Sequence, residues 1–410
     1  MFKCANGGEA AARALIDLGV DTVFTLTGGH LNHIHQILEK SPVRIVTTRH
    51  EQAATFMGDA YIVDVHGTCN PFIEACNESG VRLEILLKRE SQIIMTDSSN
   101  IFSRLFKYIR FFFVTLKARR KLSLFFRKIH PDYVIVNNTK VLPLLLRNKY
   151  GSKVILFARG WFMPQQINRR DRCLYRLLVD RYCCVSEATR YALVASGIAT
   201  LSNTFVVHNS INLQNLKNVR PAVVEAGTND TIILVSGGFL PSKGIHVAVE
   251  VARKLKERAF SFRMIITGVV YDYSGSRVYY EKVLKMIDDY GLDRNIQLEI
   301  GRSSVLDFFK ISDIFIHPSD TEGLPRVIME AMAFHVPVIA NAVGGVTDYI
   351  LDGYTGILTR YNNVDDYVDS IIRISTDTFF KELITDNAYQ LVSTCFQPSQ
   401  QVEALERALQ

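Results

Sequence analysis

Three side chains in this sequence have types and spacing suited to gripping a polyhydroxylated anion: Glu322, Glu330 and Lys243. The first two lie in the run Pro318-Ser319-Asp320-Thr321-Glu322-Gly323-Leu324-Pro325, which continues to Glu330-Ala331-Met332-Ala333. It reads as the end of a strand, a glycine-containing turn and a helix that opens with Pro325 at a first-turn position, where its missing N–H costs nothing. At roughly 1.5 Å per residue, Glu330 lies about 7–8 Å along the helix axis from Pro325. One acid then sits at the mouth of a cleft and the other deeper along its wall. A sugar nucleotide has ribose hydroxyls and donor-sugar hydroxyls at a comparable separation. The spacing alone also fits a solvated helix face, and a glutamate before a helix gains about 0.3–1 kcal/mol from the helix dipole in any case.

The elements around these residues narrow the reading. Ile311 to His317 reads as a helix end and a buried strand, and Val336 to Ala340 as another strand. Val343-Gly344-Gly345-Val346 and Asp352-Gly353-Tyr354-Thr355-Gly356 follow. Upstream, Thr231 to Val235 is an apolar, strand-like run. Ser236-Gly237-Gly238-Phe239-Leu240-Pro241-Ser242-Lys243-Gly244 comes next, and an amphipathic helix begins at Ile245. A glycine loop that feeds a helix N-terminus is a ready anion site, because free backbone N–H groups point outward. An exposed loop lysine is the plainer reading of Lys243.

This stretch resembles the nucleotide-sugar domain of family-4 retaining glycosyltransferases of GT-B architecture. The resemblance implies that Glu330 binds the ribose hydroxyls, Glu322 the donor-sugar hydroxyls and Lys243 the diphosphate. It places Gly237 and Gly238 in the donor loop and assigns the Gly323 and Leu324 backbone N–H groups to the sugar or phosphate. Glu322 and Lys243 are the expected catalytic residues. Two positions depart from the family pattern. Gly238 stands where an arginine usually precedes the lysine, leaving the diphosphate to Lys243, backbone amides and a further cation such as Arg302. His335 stands where glycine usually precedes Val336-Pro337, a change expected to affect packing more than chemistry.

Length and composition are compatible with this. At 410 residues the chain suits two or three domains. Its 48% apolar and 21% charged content exclude a disordered chain. A net charge of +6 suits anionic partners without naming one. Seven cysteines show neither metal nor disulfide spacing, so reduced thiols in a cytoplasmic protein are expected. No apolar leader and no run of about 18 apolar residues is evident.

The middle of the chain alternates strand-like and helix-like segments, as a doubly wound parallel sheet does. Strands are expected at 61–65, 81–87, 133–136, 154–157 and 181–185, and Ser186 is a sound N-cap for the helix that follows. The run Val206 to Asn212 resembles the point at which family members cross to the donor domain. The acceptor-side candidates are His66 and Gly67, in the loop after the first of these strands, and Arg159, beside Gly160-Trp161 at another strand end. Family members often carry a histidine at the latter position; an arginine could bind an acidic acceptor or phosphate but cannot act as a base near neutral pH.

Residues 101–129 carry nine basic side chains and no acidic one. Phe102, Leu105, Phe106, Ile109, Phe113 and Leu116 recur at helical spacing. Such a helix suits an anionic membrane surface, at about 1 kcal/mol per nearby Lys or Arg; the bland alternative is a core-facing helix with a cationic outer face. No nucleic-acid reading motif accompanies the charge.

The first sixty residues stand apart. Gly7 to Ala12 opens a helix, 21–26 reads as a strand, Thr27-Gly28-Gly29-His30 as a turn and 43–48 as a second strand, before Arg49-His50-Glu51-Gln52-Ala53-Ala54. This resembles the start of the pyrimidine-binding domain of thiamine-diphosphate enzymes such as acetolactate synthase, and implies that Glu51 is a vestigial contact to the cofactor aminopyrimidine. The resemblance stops near Tyr61, and no Gly-Asp-Gly segment of the metal- and diphosphate-anchoring kind follows. The segment reads as a fused fragment that, alone, leaves apolar faces uncovered.

The expected fold is therefore α/β: GT-B, two Rossmann-like doubly wound domains facing a cleft, plus an N-terminal α/β fragment. The expected divisions are 1–60, 61–212 and 213–410, with the last helix, after Pro398, crossing back. The expected activity is transfer, with retention, from a nucleotide-sugar donor to a glycan or lipid-linked acceptor in cell-surface polysaccharide or glycolipid synthesis, with no cofactor or metal required and no thiamine diphosphate bound; the expected location is cytoplasmic, with peripheral attachment to the inner face of the cytoplasmic membrane as a further option. The alternatives are a thiamine-diphosphate-dependent synthase or lyase fragment fused to an inactive GT-B scaffold, and a silent scaffold throughout.

Overall fold

The computed structural model describes the backbone of residues 22–26 and 44–46, and residues 61–65, 82–87, 101–146, 151–160, 165, 167–224, 227, 229–301 and 305–409. Two compact units emerge. The first comprises Met1–Val185, Arg190–His208 and Pro398–Gln410; the second comprises Ser186–Thr189 and Asn209–Gln397.

The strands of the first unit are β1 (Thr22–Leu26), β2 (Arg44–Val46), β3 (Tyr61–Asp64), β4 (Arg82–Ile85), β5 (Tyr133–Val136), β6 (Lys153–Ala158), β7 (Arg181–Cys184) and β8 (Thr204–Val206). They form one parallel sheet in the order β4-β3-β1-β5-β6-β7-β8, with β2 also paired to β1. Thus β1 and β2, from the first sixty residues, pair within the sheet of the following segment. Phe24 is in register with Tyr61, and Val23 with Tyr133, so β1 lies between β3 and β5. The backbone of β1 is thereby bonded to neighbours on both sides.

Helix Ile101–Ile129 packs on this sheet through its C-terminal half. Ala118, Leu122, Phe126 and Ile129, spaced at three and four residues, enter the core beside Val134, Val136 and Leu142. The apolar stripe read from the helical spacing lies elsewhere: Phe106, Ile109, Phe113 and Leu116 are exposed, as are Phe111 and Phe112. Helix Pro398–Leu409 lies on the same unit, where Arg181 donates to the Ala408 carbonyl at 2.7 Å and Gln401 to the His208 carbonyl at 2.8 Å.

The second unit contains β9 (Thr231–Ser236), β10 (Phe262–Gly268), β11 (Ile296–Ile300), β12 (Ile314–His317), β13 (Val338–Asn341) and β14 (Ile357–Thr359). All run parallel in the order β11-β10-β9-β12-β13-β14. Its core joins Ile233, Val235, Met264, Ile266, Ile314 and Ile316 from the sheet to Val247, Val251 and Leu255 of helix Ile245–Glu257 and to Tyr367, Val368 and Ile371 of helix Val364–Thr376. The central strands β12 and β13 are buried throughout and β9 along Ile233–Val235, as a sheet covered on both faces requires.

This strand order brings distant loops together. Ile314 pairs with Ile233 and Ile316 with Val235, so β9 and β12 end side by side. Their neighbours β10 and β13 end next to them. Four consecutive loops, after β10, β9, β12 and β13, therefore emerge from one edge of the sheet, the edge at which ligands bind in open α/β folds.

Candidate active site

The loop after β9 is shaped by glycines. Gly244, with φ +65°, occupies the left-handed region, and a β-carbon on it would stand 1.9 Å from the Pro318 carbonyl oxygen. Only glycine meets both demands. The Ser242 carbonyl, one residue before Lys243, accepts the Asp320 N–H at 2.8 Å and the Ser319 hydroxyl at 3.0 Å. These bonds fasten the β9 loop to the β12 loop and fix the start of each side chain that matters.

At that junction Lys243 Nζ lies 2.6 Å from Glu322 Oε1. The same oxygen lies 3.0 Å from His317 Nε2 at the end of β12. The Glu322 side chain is 10% exposed and that of His317 4%. Burial pushes the Glu322 carboxyl upward, but the His317 hydrogen bond and charge, with the Lys243 ammonium, outweigh it and hold the group at about 2. Glu322 is therefore a carboxylate whose Oε1 is engaged, while Oε2 has no partner among the described residues. The backbone N–H groups of Gly323 and Leu324 are likewise without a partner among the described residues, although both residues are buried. A carboxylate oxygen and two amide donors thus stand together on one turn.

The turn is held from behind. Asn209 donates to the Leu324 carbonyl at 2.8 Å, and the buried Tyr349 hydroxyl donates to the Pro325 carbonyl at 2.5 Å. Gly344 and Gly345, in the loop after β13, pack on Glu322 and Gly323 so tightly that β-carbons would stand 1.8 and 2.0 Å from those two carbonyl oxygens. Pro325 is the N-cap, not a first-turn residue, of helix Arg326–Ala333. Its extended backbone, φ −72° and ψ 115°, starts the helix one residue later than expected.

Glu330 lies apart from the Lys243 pair. Its carboxylate is 18% exposed and approaches Arg326 at 3.7 Å, one turn earlier on the same helix. Burial raises its pKa, opposed by Arg326. A common neighbour links the two acids: burial, with the charges of Glu322, Asp348 and Glu330, raises the Tyr349 phenol far above its usual range. Tyr349 is thus a neutral donor to the backbone of the turn that carries Glu322.

The expectation that loop amides and the helix N-terminus hold an anion needs correcting. The amides of Gly237, Phe239, Leu240, Lys243 and Gly244 all donate within the fold, the first two to the Thr267 and Val269 carbonyls. At the helix start the Tyr279 hydroxyl accepts the His246 N–H at 3.1 Å and meets His246 Nδ1 at 2.8 Å. Burial pushes that phenol up to about 12, so it stays neutral. Of the loop glycines, Gly237 packs beneath the Lys243 stem. Gly238 retains an N–H without a partner among the described residues.

Arg159 lies in the first unit, where its Nε donates to Asn137 at 2.5 Å and its guanidinium sits over the Phe157 ring. His66, Gly67, Glu51 and Arg302 lie outside the described residues. Sequence reasoning missed His317 and Tyr349; a histidine on the last residue of an otherwise apolar strand, just ahead of the acidic turn, was the available signal for the first.

Comparison with known proteins agrees with this geometry. Residues 218–408 match the family model described as "Glycosyl transferases group 1". That segment is similar to the group 1 glycosyl transferases. Residues 5–67 match the "Thiamine pyrophosphate enzyme, N-terminal TPP binding domain". An uncharacterized glycosyltransferase of Methanocaldococcus jannaschii is 29% identical over 252 residues, 59% of this chain and 64% of its own. A trehalose synthase of Pyrococcus horikoshii is 36% identical over 135 residues, 32% of each chain. The chain therefore spans less than two thirds of the length of these relatives. The crystal structure of Anabaena Alr3699/HepE in complex with UDP aligns with a TM-score of 0.69 at 15% identity, over 95% of this chain and 99% of its own. The matched segment thus carries the second-unit sheet of a GT-B fold, and the Lys243–Glu322 pair lies at that sheet's loop edge.

Proposed function

We propose that the protein transfers a sugar from a nucleotide-sugar donor to a glycan or lipid-linked acceptor, with retention at the anomeric carbon, in cell-surface polysaccharide or glycolipid synthesis. The observation that carries this reading is the ionised Glu322, anchored through one oxygen by Lys243 and His317 and flanked by two open amides. The free carboxylate oxygen accepts donor-sugar hydroxyls. The Gly323 and Leu324 amides and the Lys243 ammonium face the phosphates, and Glu330, further along the helix, takes the ribose hydroxyls.

Loss of the nucleoside diphosphate concentrates negative charge on the departing phosphate. Donors fixed before the reaction lower that barrier without reorganising. Similarity to proteins described as glycosyltransferases and to a structure solved with UDP supports the donor class. Neither thiamine diphosphate nor a metal ion enters this scheme. The test is hydrolysis or transfer from a panel of uridine, guanosine and adenosine diphosphate sugars by the purified full chain. Turnover of one donor, lost on Lys243→Ala, is expected; a chain that neither binds nor turns over any donor contradicts the proposal.

The exposed face of helix Ile101–Ile129 supports an acceptor held at a membrane. Phe106, Ile109, Phe112, Phe113 and Leu116 are exposed beside Lys117, Arg120 and Lys121, with no acidic residue on the helix. Among the described residues no helix is long and apolar enough to cross a membrane. A basic, aromatic face of this kind lies in the interface of anionic lipids. Flotation with vesicles containing phosphatidylglycerol should capture the protein, and Phe112→Ser with Phe113→Ser should release it. Equal capture by neutral vesicles would count against the electrostatic part.

A further inference from the structure

We infer that the Tyr271 hydroxyl is a diphosphate-binding group of the donor site, working opposite Lys243 across the glycine loop. This rests on the nucleotide-sugar reading above and adds a residue that no motif marks.

A ligand with at least two negative charges meets a nearly neutral pair in Lys243 and Glu322, 2.6 Å apart. The loop amides are mostly consumed internally, leaving the Gly238 N–H without a partner among the described residues. A further donor is needed beside Gly238, and a phenol stands there. A β-carbon built on Gly238 would lie 2.6 Å from Tyr271 Cε2 and 2.8 Å from its hydroxyl oxygen. The ring therefore occupies the volume of a side chain at position 238. Lys243 covers the preceding glycine, its β-carbon 3.3 Å from where a Gly237 β-carbon would be. Two adjacent glycines thus carry an ammonium stem and a phenol contributed from elsewhere.

The phenol is placed by a built contact. The Tyr271 N–H donates to Ser276 Oγ at 3.0 Å, and that buried hydroxyl donates to the Phe239 carbonyl at 2.8 Å. One serine so ties the loop after β10 to the loop after β9. Tyr273 stacks on Tyr271 with ring centroids 6.4 Å apart, bracing its outer side. Yet Tyr271 remains 44% exposed, and its hydroxyl has no hydrogen-bond partner among the described residues. A tyrosine needed only for packing would not require this oriented, open hydroxyl. Hydrogen bonds to charged acceptors are the stronger class, so a phosphate oxygen is the fitting partner.

The test uses the full-length protein, with UDP, GDP and ADP as probes and the matching nucleosides as controls, titrated by calorimetry. Tyr271→Phe keeps the ring over Gly238 and removes only the oxygen. It should weaken binding of the preferred diphosphate by tenfold or more while leaving the nucleoside unchanged. Gly238→Ala, whose methyl must push the exposed ring aside, should reproduce much of that loss with the melting temperature unchanged. Equal diphosphate affinity in wild type and Tyr271→Phe overturns the role of the hydroxyl and leaves the transferase reading standing. Absence of any diphosphate binding by the wild type overturns both.

Discussion

Gly344 and Glu322 are in backbone contact so close that a single methyl group cannot be inserted between them: a β-carbon on Gly344 would stand 1.8 Å from the Glu322 carbonyl oxygen. Gly344 also has φ +49°, which disfavours any other residue. The position of the Glu322 turn is thus set from the neighbouring loop. Gly344→Ala should combine overpacking with left-handed strain and destabilise the second unit by about 2–4 kcal/mol. It should also displace Glu322 enough to abolish turnover. Denaturant melts and donor hydrolysis measure the two effects, and a fully active, fully stable Gly344→Ala protein would refute the contact.

The depressed pKa of Glu322 has a consequence for stability. Its carboxyl falls from an ordinary 4.5 to about 2 on folding. The contribution is therefore complete above pH 4.5 and is lost as the pH falls from there toward 2. Over that window wild type should lose on the order of 2–3 kcal/mol relative to Glu322→Gln, which has no proton to take up. Unfolding free energies measured at several acidic pH values would show the two curves converging. Parallel curves would mean that Glu322 is not held by Lys243 and His317.

The N-terminal segment has a structural duty that its resemblance to a different enzyme family conceals. Because β1 lies between β3 and β5, removing it takes an inner strand out of the first unit's sheet. Phe24→Pro, at a residue paired with both Val46 and Tyr61, should cost about 3 kcal/mol or more by deleting a ladder N–H in the sheet interior. Limited proteolysis should then cut the first unit and spare residues 229–397. A Phe24→Pro chain as resistant as wild type would place β1 outside the sheet.

His335 adopts φ +56°, and its ring stacks on Tyr389 at 4.2 Å with Nδ1 3.5 Å from Asp386. The histidine in a glycine-favouring position is offset by these contacts. His335→Gly should therefore be more stable than His335→Ala by about 1 kcal/mol, the reverse of the helix-interior order, because only alanine retains the left-handed strain. Thermal melts of the two variants decide it.

Much of the site was legible because glycines and acids bracket apolar strands in a way few other arrangements explain. The Lys243 loop and the Glu322 turn could each be located, but their contact depends on β9 and β12 being neighbours, which no local pattern encodes. His317 was hidden by the strand around it, since an apolar run followed by one histidine looks like a core. Tyr279, 33 residues from the helix start it caps, and Tyr271, from the next loop, bear on the β9 loop only once the sheet is assembled. The basic helix was visible as amphipathic, but which of its faces packs was fixed by Leu122 and Phe126 meeting the sheet. The first sixty residues differ for another reason: family resemblance reports ancestry, whereas the pairing of β1 and β2 reports the sheet those strands join.

Calorimetric titration of the preferred nucleotide sugar into wild type, Lys243→Ala and Glu330→Ala tests the central claim most directly. The account predicts tight binding by wild type and a loss of tenfold or more in each variant, with circular dichroism unchanged. Undiminished affinity in both variants would contradict it.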